Sequence, residues 1–336
     1  MDTYCSPTYK NTYFDSPEFF VEALHAVGFF SIPVNVLGGY CILLKTPKEM
    51  SSVKWSLFNL QFTSFVLDLT LSFLCTAYIF VPVMAGYGVG IVDIDTAKYA
   101  YIIVTVVFIT GCAIVVVVEN RLFILLINPQ IWKYARYPFL GFFYFTAVAT
   151  FVPVYIGMAP GIEYKKEFVI ESLPCLPDAV RALPLYLAVE NKWQFLIWTV
   201  GESTLFCVTC LALFLQIYRA LRKYGEVRSK QTLELQKRLF KAIFLQLAIP
   251  FSIISMPMIY YTYTPFFNAI LNSIMFITVS SHGFISTIVM LIVQKPYREF
   301  ILGGFEKFLR RKMPRDLDLA RASNLVNSRV MTNQMF

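Results

Sequence analysis

The stretch VVVVENRLFILL, residues 115–126, sets Glu119, Asn120 and Arg121 inside a run that is otherwise aliphatic and aromatic. An acid, an amide and a base in that order can form ion pairs and charge-assisted hydrogen bonds, or offer a cation to a partner. Glu119 and Arg121 stand two residues apart, about 200° round a helix, so they cannot pair with each other as groups four apart would. Each needs its own neighbour: a basic inner segment, through Lys133 or Arg136, for Glu119, and a crevice open to a partner for Arg121. The plainer reading makes both of them anchors of a helix end, their long side chains reaching water.

Few other ionisable groups lie in apolar sequence. Asp68, Glu202 and His282 do, the last directly after Ser280 and Ser281. An ionisable side chain in hydrocarbon is costly unless paired or hydrated, so each is a candidate functional residue. Asp68 with Ser280, Ser281 and His282 would make a hydrated hydrogen-bond network; satisfied packing contacts are the alternative. Glu202, beside Ser203 and Thr204, is the single outer-half charge able to recognise a cationic or hydrogen-bonding ligand, with Trp198, Tyr101 and Tyr260 as candidate pocket aromatics. An interfacial aromatic belt explains most of the other Tyr and Trp residues.

Catalysis and metal binding are poorly supported. Asp68 is the only aspartate in an apolar run, since Asp93 and Asp95 belong to a loop, and there is no HExxH, GxSxG or phosphate-binding glycine loop. Cys41, Cys75, Cys112, Cys207 and Cys210 read as small hydrophobes. Cys5 and Cys175 lie in outer segments and are candidates for a disulfide, with Cys75 as the competing partner. Two histidines and an isolated CVTC do not make a metal site, so neither metal nor cofactor is expected.

The elements that must position these residues follow from composition. The chain is 57% hydrophobic, 17% aromatic and 15% charged, with mean hydropathy +0.61; soluble domains carry about 25% charged residues. It belongs in a bilayer, whose core takes roughly 20 apolar residues of helix to cross. Seven such runs lie at approximately 19–44, 55–82, 99–127, 138–158, 193–218, 242–263 and 267–293. The fold class is thus an all-α membrane protein, a seven-transmembrane helix bundle. Of the 29 Lys and Arg residues, 23 fall in the first inner loop, the second inner segment with Arg121, the 219–241 loop and the tail from Lys295. The N-terminus is therefore outside and the C-terminus inside, and the net charge of +8 suits anionic lipid headgroups and a cytosolic partner better than nucleic acid. No cleavable signal peptide is visible, and the first apolar run acts as the anchor.

Around the seven-helix domain, 19–296, stand an extracellular tail, 1–18, an amphipathic membrane-surface helix, 297–312, and a disordered cytoplasmic tail, 313–336. The outer loop at about 159–192 is either a lid over a cavity or a connector. The 219–241 loop extends helices five and six as basic helical ends. Pro250 and Pro257, seven residues apart in AIPFSIISMP, should bend helix six and make it a moving part.

The chain resembles the nematode serpentine receptors of class h, a set of seven-helix chemoreceptors in the G-protein-coupled receptor superfamily. The resemblance covers roughly residues 14–310: SPEFF at 16–20, GGYCILLKTPKEMSSVKWSLFNLQF at 38–62, ENR at 119–121, LPC at 173–175, LQLAIPF at 245–251 and QKPYREF at 294–300. It implies sensing of small environmental molecules at the plasma membrane of a sensory-neuron cilium and signalling through a heterotrimeric G protein. It also places ENR where related receptors carry a coupling arginine. The chain lacks Asn-Pro-x-x-Tyr in helix seven, where Lys295-Pro296-Tyr297-Arg298 stands instead, and lacks a cysteine at the outer end of helix three. Pairing with a second receptor is left open. The alternatives are a ligand-gated channel, whose N-terminus would be inside, and a transporter, whose repeats an odd helix count divides badly.

Overall fold

The computed structural model describes residues 13–81, 83, 85–92, 96–126, 130–158, 162–176, 178–187, 192–227, 230–264 and 267–312. Ser16, Pro17 and Glu18 open the first helix as their chemistry dictates. The Ser16 hydroxyl accepts from the Phe19 N–H at 3.2 Å, Pro17 sits where no N–H is needed, and Glu18 meets the positive end of the helix dipole. This helix, α1 (Pro17–Lys45), runs on through Pro33. After a 3-10 turn at Lys48–Met50, α2 (Ser51–Leu69) continues into a π-helical turn at Thr70–Leu74.

There the chain departs from the expected helix at 55–82. Two strands, β1 (Ala77–Phe80) and β2 (Ala85–Gly88), pair antiparallel with Tyr78 opposite Tyr87. Glycine makes the close pairing sterically feasible, since a Cβ on Gly86 would lie 2.3 Å from the Tyr78 carbonyl oxygen and one on Gly90 2.4 Å from that of Leu74.

Next come α3 (Thr96–Leu125), α4 (Gln130–Ala149), α5 (Val152–Met158), α6 (Ile162–Ser172), α7 (Asp178–Arg181) and β3 (Tyr186–Leu187). The chain closes with α8 (Lys192–Val227), α9 (Lys230–Tyr263), α10 (Ala269–Ser280), α11 (His282–Val293) and α12 (Lys295–Lys312). The fourth apolar run starts earlier than 138 and is broken at 150–151, between α4 and α5. The seventh is broken at Ser281, where α10 and α11 meet at 46°. Pro250 and Pro257 both lie within the single helix α9, and α8 and α9 carry helix into both sides of the 219–241 segment, as its composition predicts. Helix also covers the 297–312 segment. Residues 1–12 and 313–336 lie outside the described residues.

Among the described residues, Pro17–Lys45, Ser51–Leu74, Lys98–Leu125 and Ile197–Lys223 are each long and apolar enough to cross a membrane, and the bent α10–α11 pair, taken as one span, is a fifth. With α4–α5 and α9 they build a bundle in which α3 packs against α2, α4 and α8, while α1 packs against α2, α10 and α11. Large rings such as Phe29, Phe30 and Phe145 stand exposed on its outside, as lipid contact requires. One core cluster fills the bundle's middle and its charge-rich end, where α12 begins. A second caps the charge-poor end. There β3 joins β1 and β2 in a three-stranded sheet of order β1-β2-β3, and Phe20, Tyr78, Phe80, Leu173, Leu185 and Phe267 are buried beneath it. The segment 159–192 is thus no loose connector where it is described: it supplies Val169, Leu173, Leu176 and Leu187 to this cap.

Candidate functional site

At the charge-rich end, the three residues of ENR leave α3 in three directions, as steps of 100° require. Glu119 is fully buried. Its Oε2 is 2.8 Å from Arg136 Nη2 on α4, and its Oε1 accepts from the Trp132 indole N–H, also at 2.8 Å. Arg136 lies over the Phe123 ring, 4.3 Å from its centroid. Asn120 turns to α2, donating to the Ser52 carbonyl at 2.9 Å and to the Ser56 hydroxyl at 3.3 Å. Arg121 turns to neither. It is 6% exposed, its Nε and one terminal nitrogen have no hydrogen-bond partner among the described residues, and it lies within electrostatic reach of Tyr297 at the start of α12. Tyr297 in turn shares a 2.8 Å hydrogen bond with Thr46 at the end of α1. A buried acid is therefore matched with a base on the next helix, and a buried base is left unmatched among the described residues.

Midway along the bundle Asp68, fully buried, joins three helices. Its Oδ2 accepts from the Ser31 hydroxyl at 2.5 Å and the Asn35 amide at 3.3 Å, and its Oδ1 accepts from the Gly283 backbone N–H at 2.8 Å. Asn35 Oδ1 accepts from Gln61 at 2.7 Å, and the Thr287 hydroxyl lies 2.8 Å from it. The chemistry is that of a helix N-cap supplied from another helix. The bend at Ser281 frees the first N–H groups of α11, and the Asp68 carboxylate accepts from them. Gly283 admits the carboxylate because a Cβ there would lie 2.6 Å from it.

This corrects the expected network. The partner of Asp68 on helix seven is backbone rather than Ser280, Ser281 or His282. Ser280 pairs with Ser72 at 2.7 Å, Ser281 donates to the Thr278 carbonyl of its own helix, and both ring nitrogens of buried His282 lack a partner among the described residues. The residues missed are Ser31, Asn35, Gln61 and Thr287. Their signal was periodic, since Ser31 and Asn35 are four apart and Gln61 and Asp68 seven, each pair on one helix face.

In the charge-poor half, Glu202 on α8 is buried. Its Oε2 receives only a 3.4 Å hydrogen bond from Thr150, at the break between α4 and α5, and its Oε1 has no partner among the described residues. Tyr101 joins the same region, donating to the Val148 carbonyl at 3.0 Å and packing on Tyr155. Trp198, one turn before Glu202 on α8, is 40% exposed; Tyr260 is half-buried on α9. Above them, burial more than the neighbouring Tyr78 and Glu18 pushes the Tyr87 hydroxyl up, so it stays protonated within the cap. Cys175 is disulfide-bonded, while Cys41, Cys75, Cys112, Cys207 and Cys210 are free, which removes Cys75 as its partner; Cys5 lies outside the described residues.

Bundle, bent seventh helix and ion-paired third helix together define an all-helical membrane-protein fold. Squid rhodopsin matches the structure with a TM-score of 0.52 over 92% of this chain and 93% of its own, at 12% identity, a likeness of fold alone. The family model for the serpentine type 7TM GPCR chemoreceptors Srh matches residues 15–307, and the chain belongs to that family. A curated relative, serpentine receptor class H-72 of Caenorhabditis elegans, is 26% identical over 91% of this chain and 93% of its own. The protein is accordingly a multi-pass membrane receptor of the GPCR type, from a family of receptors rather than enzymes.

Proposed function

We propose that this receptor senses small environmental molecules at the plasma membrane of a sensory cilium, its charge-poor end outward, and drives nucleotide exchange on a heterotrimeric G protein through Arg121. The observation that carries the reading is the contrast within ENR. Glu119 is pinned to α4 by Arg136 and Trp132, whereas the Arg121 guanidinium is buried without an acid among the described residues. A buried, unpaired cation is unfavourable, so an arrangement that opens the charge-rich end and gives it carbonyl or carboxylate acceptors is favoured by that unmet demand. The Glu119–Arg136 pair resists such opening by holding α3 to α4. The long basic ends of α8 and α9 flank the same end of the bundle.

The test needs no ligand. Glu119→Gln should raise basal nucleotide exchange in membranes expressing the receptor with a G protein, and adding Arg121→Ala should abolish that rise at matched surface level. A double variant that keeps the raised exchange would reduce ENR to an anchor of the helix end.

A further inference from the structure

The seam where α3 and α8 meet the α4–α5 break contains more unmet polar capacity than packing explains. Glu202 is 7% exposed; one of its oxygens is unpartnered and no Lys or Arg pairs with it among the described residues. Across the seam, α3 presents Thr105, Phe108 and Cys112 at spacings of three and four, which is one face of a helix. Phe108 on this face packs against Phe206, one turn along α8 from Glu202, so this face and the carboxylate's helix confront each other. Thr105 is 9% exposed and its hydroxyl is also unpartnered. Below them lies an aromatic floor. Phe108 stacks on Phe151 with centroids 5.3 Å apart, and Phe206, one turn along α8 from Glu202, lies 5.9 Å from Phe108.

A carboxylate in such a place is costly unless a cation comes to it. Ring faces carry negative potential and attract that same cation, and a threonine hydroxyl can accept one further N–H. An anion would meet the carboxylate as a like charge, and a neutral molecule would leave the charge without a counter-ion. We propose that this seam binds a small organic ammonium ion, its N–H groups held by Glu202 and Thr105 and its apolar part laid on Phe108, Phe151 and Phe206. The proposal rests on the reading of the chain as a receptor for small molecules and names the class of molecule.

The test uses the full chain purified into lipid nanodiscs and two probes of equal shape, 2-phenylethylamine as the ammonium ion and 2-phenylethanol as its neutral counterpart, with binding read by calorimetry. The amine should bind at least about tenfold tighter than the alcohol, as a charge-assisted hydrogen bond in a dry site allows. Glu202→Gln should remove that preference, and Thr105→Val should weaken the amine while leaving the alcohol unchanged. Equal binding of the two probes, binding of neither up to millimolar concentration, or a preference that survives Glu202→Gln would overturn the proposal. If Glu202→Gln does not fold, the comparison of the two probes on the native chain and on Thr105→Val decides alone. Binding of the amine with no nucleotide exchange under any condition would sink the signalling reading and leave the site standing. Exchange evoked by other molecules, without amine binding, would do the reverse.

Discussion

Arg136 and Trp132 show how a single buried charge governs its neighbourhood. Glu119 has no exposed surface, and its two oxygens are taken by one cation and one indole N–H. Arg136→Ala therefore leaves a buried carboxylate uncompensated, a loss of about 3–5 kcal/mol where one partner of a buried pair is removed. Thermal unfolding of the detergent-solubilised receptor should show a clear fall in midpoint, and Glu119→Leu combined with Arg136→Ala should recover most of it. A double variant no more stable than Arg136→Ala would mean that the pair's geometry, not its charge balance, matters. Trp132→Phe should cost less, about 1.5–3 kcal/mol for a hydrogen bond to a charged group. Spacing made the divergence of Glu119 and Arg121 legible in sequence, and the basic neighbour of Glu119 was one of the two candidates, Lys133 or Arg136. Trp132 was not legible, because an indole beside an acid leaves no mark in a composition dominated by aromatics.

Among the elements, the helix pair α10–α11 carries the most local information about how the bundle is held. A 46° bend without proline exposes backbone N–H groups that need an acceptor, and Asp68 supplies it from α2. Gly283→Ala pushes a methyl group to within 2.6 Å of that carboxylate and should destabilise the receptor by about 1–3 kcal/mol, as overpacking does. Gly303→Ala on α12, where nothing lies within 4 Å, should be neutral or slightly stabilising. Equal midpoints for the two variants would remove Asp68 as the cap of α11. The helices themselves were readable, since a lipid-exposed helix must be apolar over its length. The end of α2 was not. CTAYIF at 75–80 is as apolar as the helix before it, and an apolar run cannot tell a buried strand from a buried helix. The bend in helix seven was equally hidden, because the acceptor that satisfies its freed N–H groups lies 215 residues away in Asp68.

For the molecule as a whole, orientation and tethering are the properties that charge and cysteine placement make testable. Epitope tags at residues 1 and 336 should label outside and inside respectively on intact cells, given the concentration of Lys and Arg at one end. Reversed labelling would favour the channel class over the receptor. Non-reducing digestion and mass spectrometry should recover Cys175 linked to Cys5, which would bind the first residues of the chain to the cap formed by 159–192; any other partner rejects that tether.

The cap also bears on time. Its third strand contributes two residues to the sheet, whereas the apolar cluster beneath draws on α1, α6 and both other strands, so local opening must disrupt several elements together. A molecule that entered the bundle through the cap would leave no faster than that opening, whatever its affinity, and would arrive under the same limit. Leu173→Ala, which thins the cap at a fully buried side chain, should therefore accelerate association and dissociation alike while leaving the equilibrium constant nearly unchanged. A receptor that took its ligand through the cap would lag behind its stimulus at both onset and offset, and the packing of the cap's leucines would set how brief a pulse it can follow.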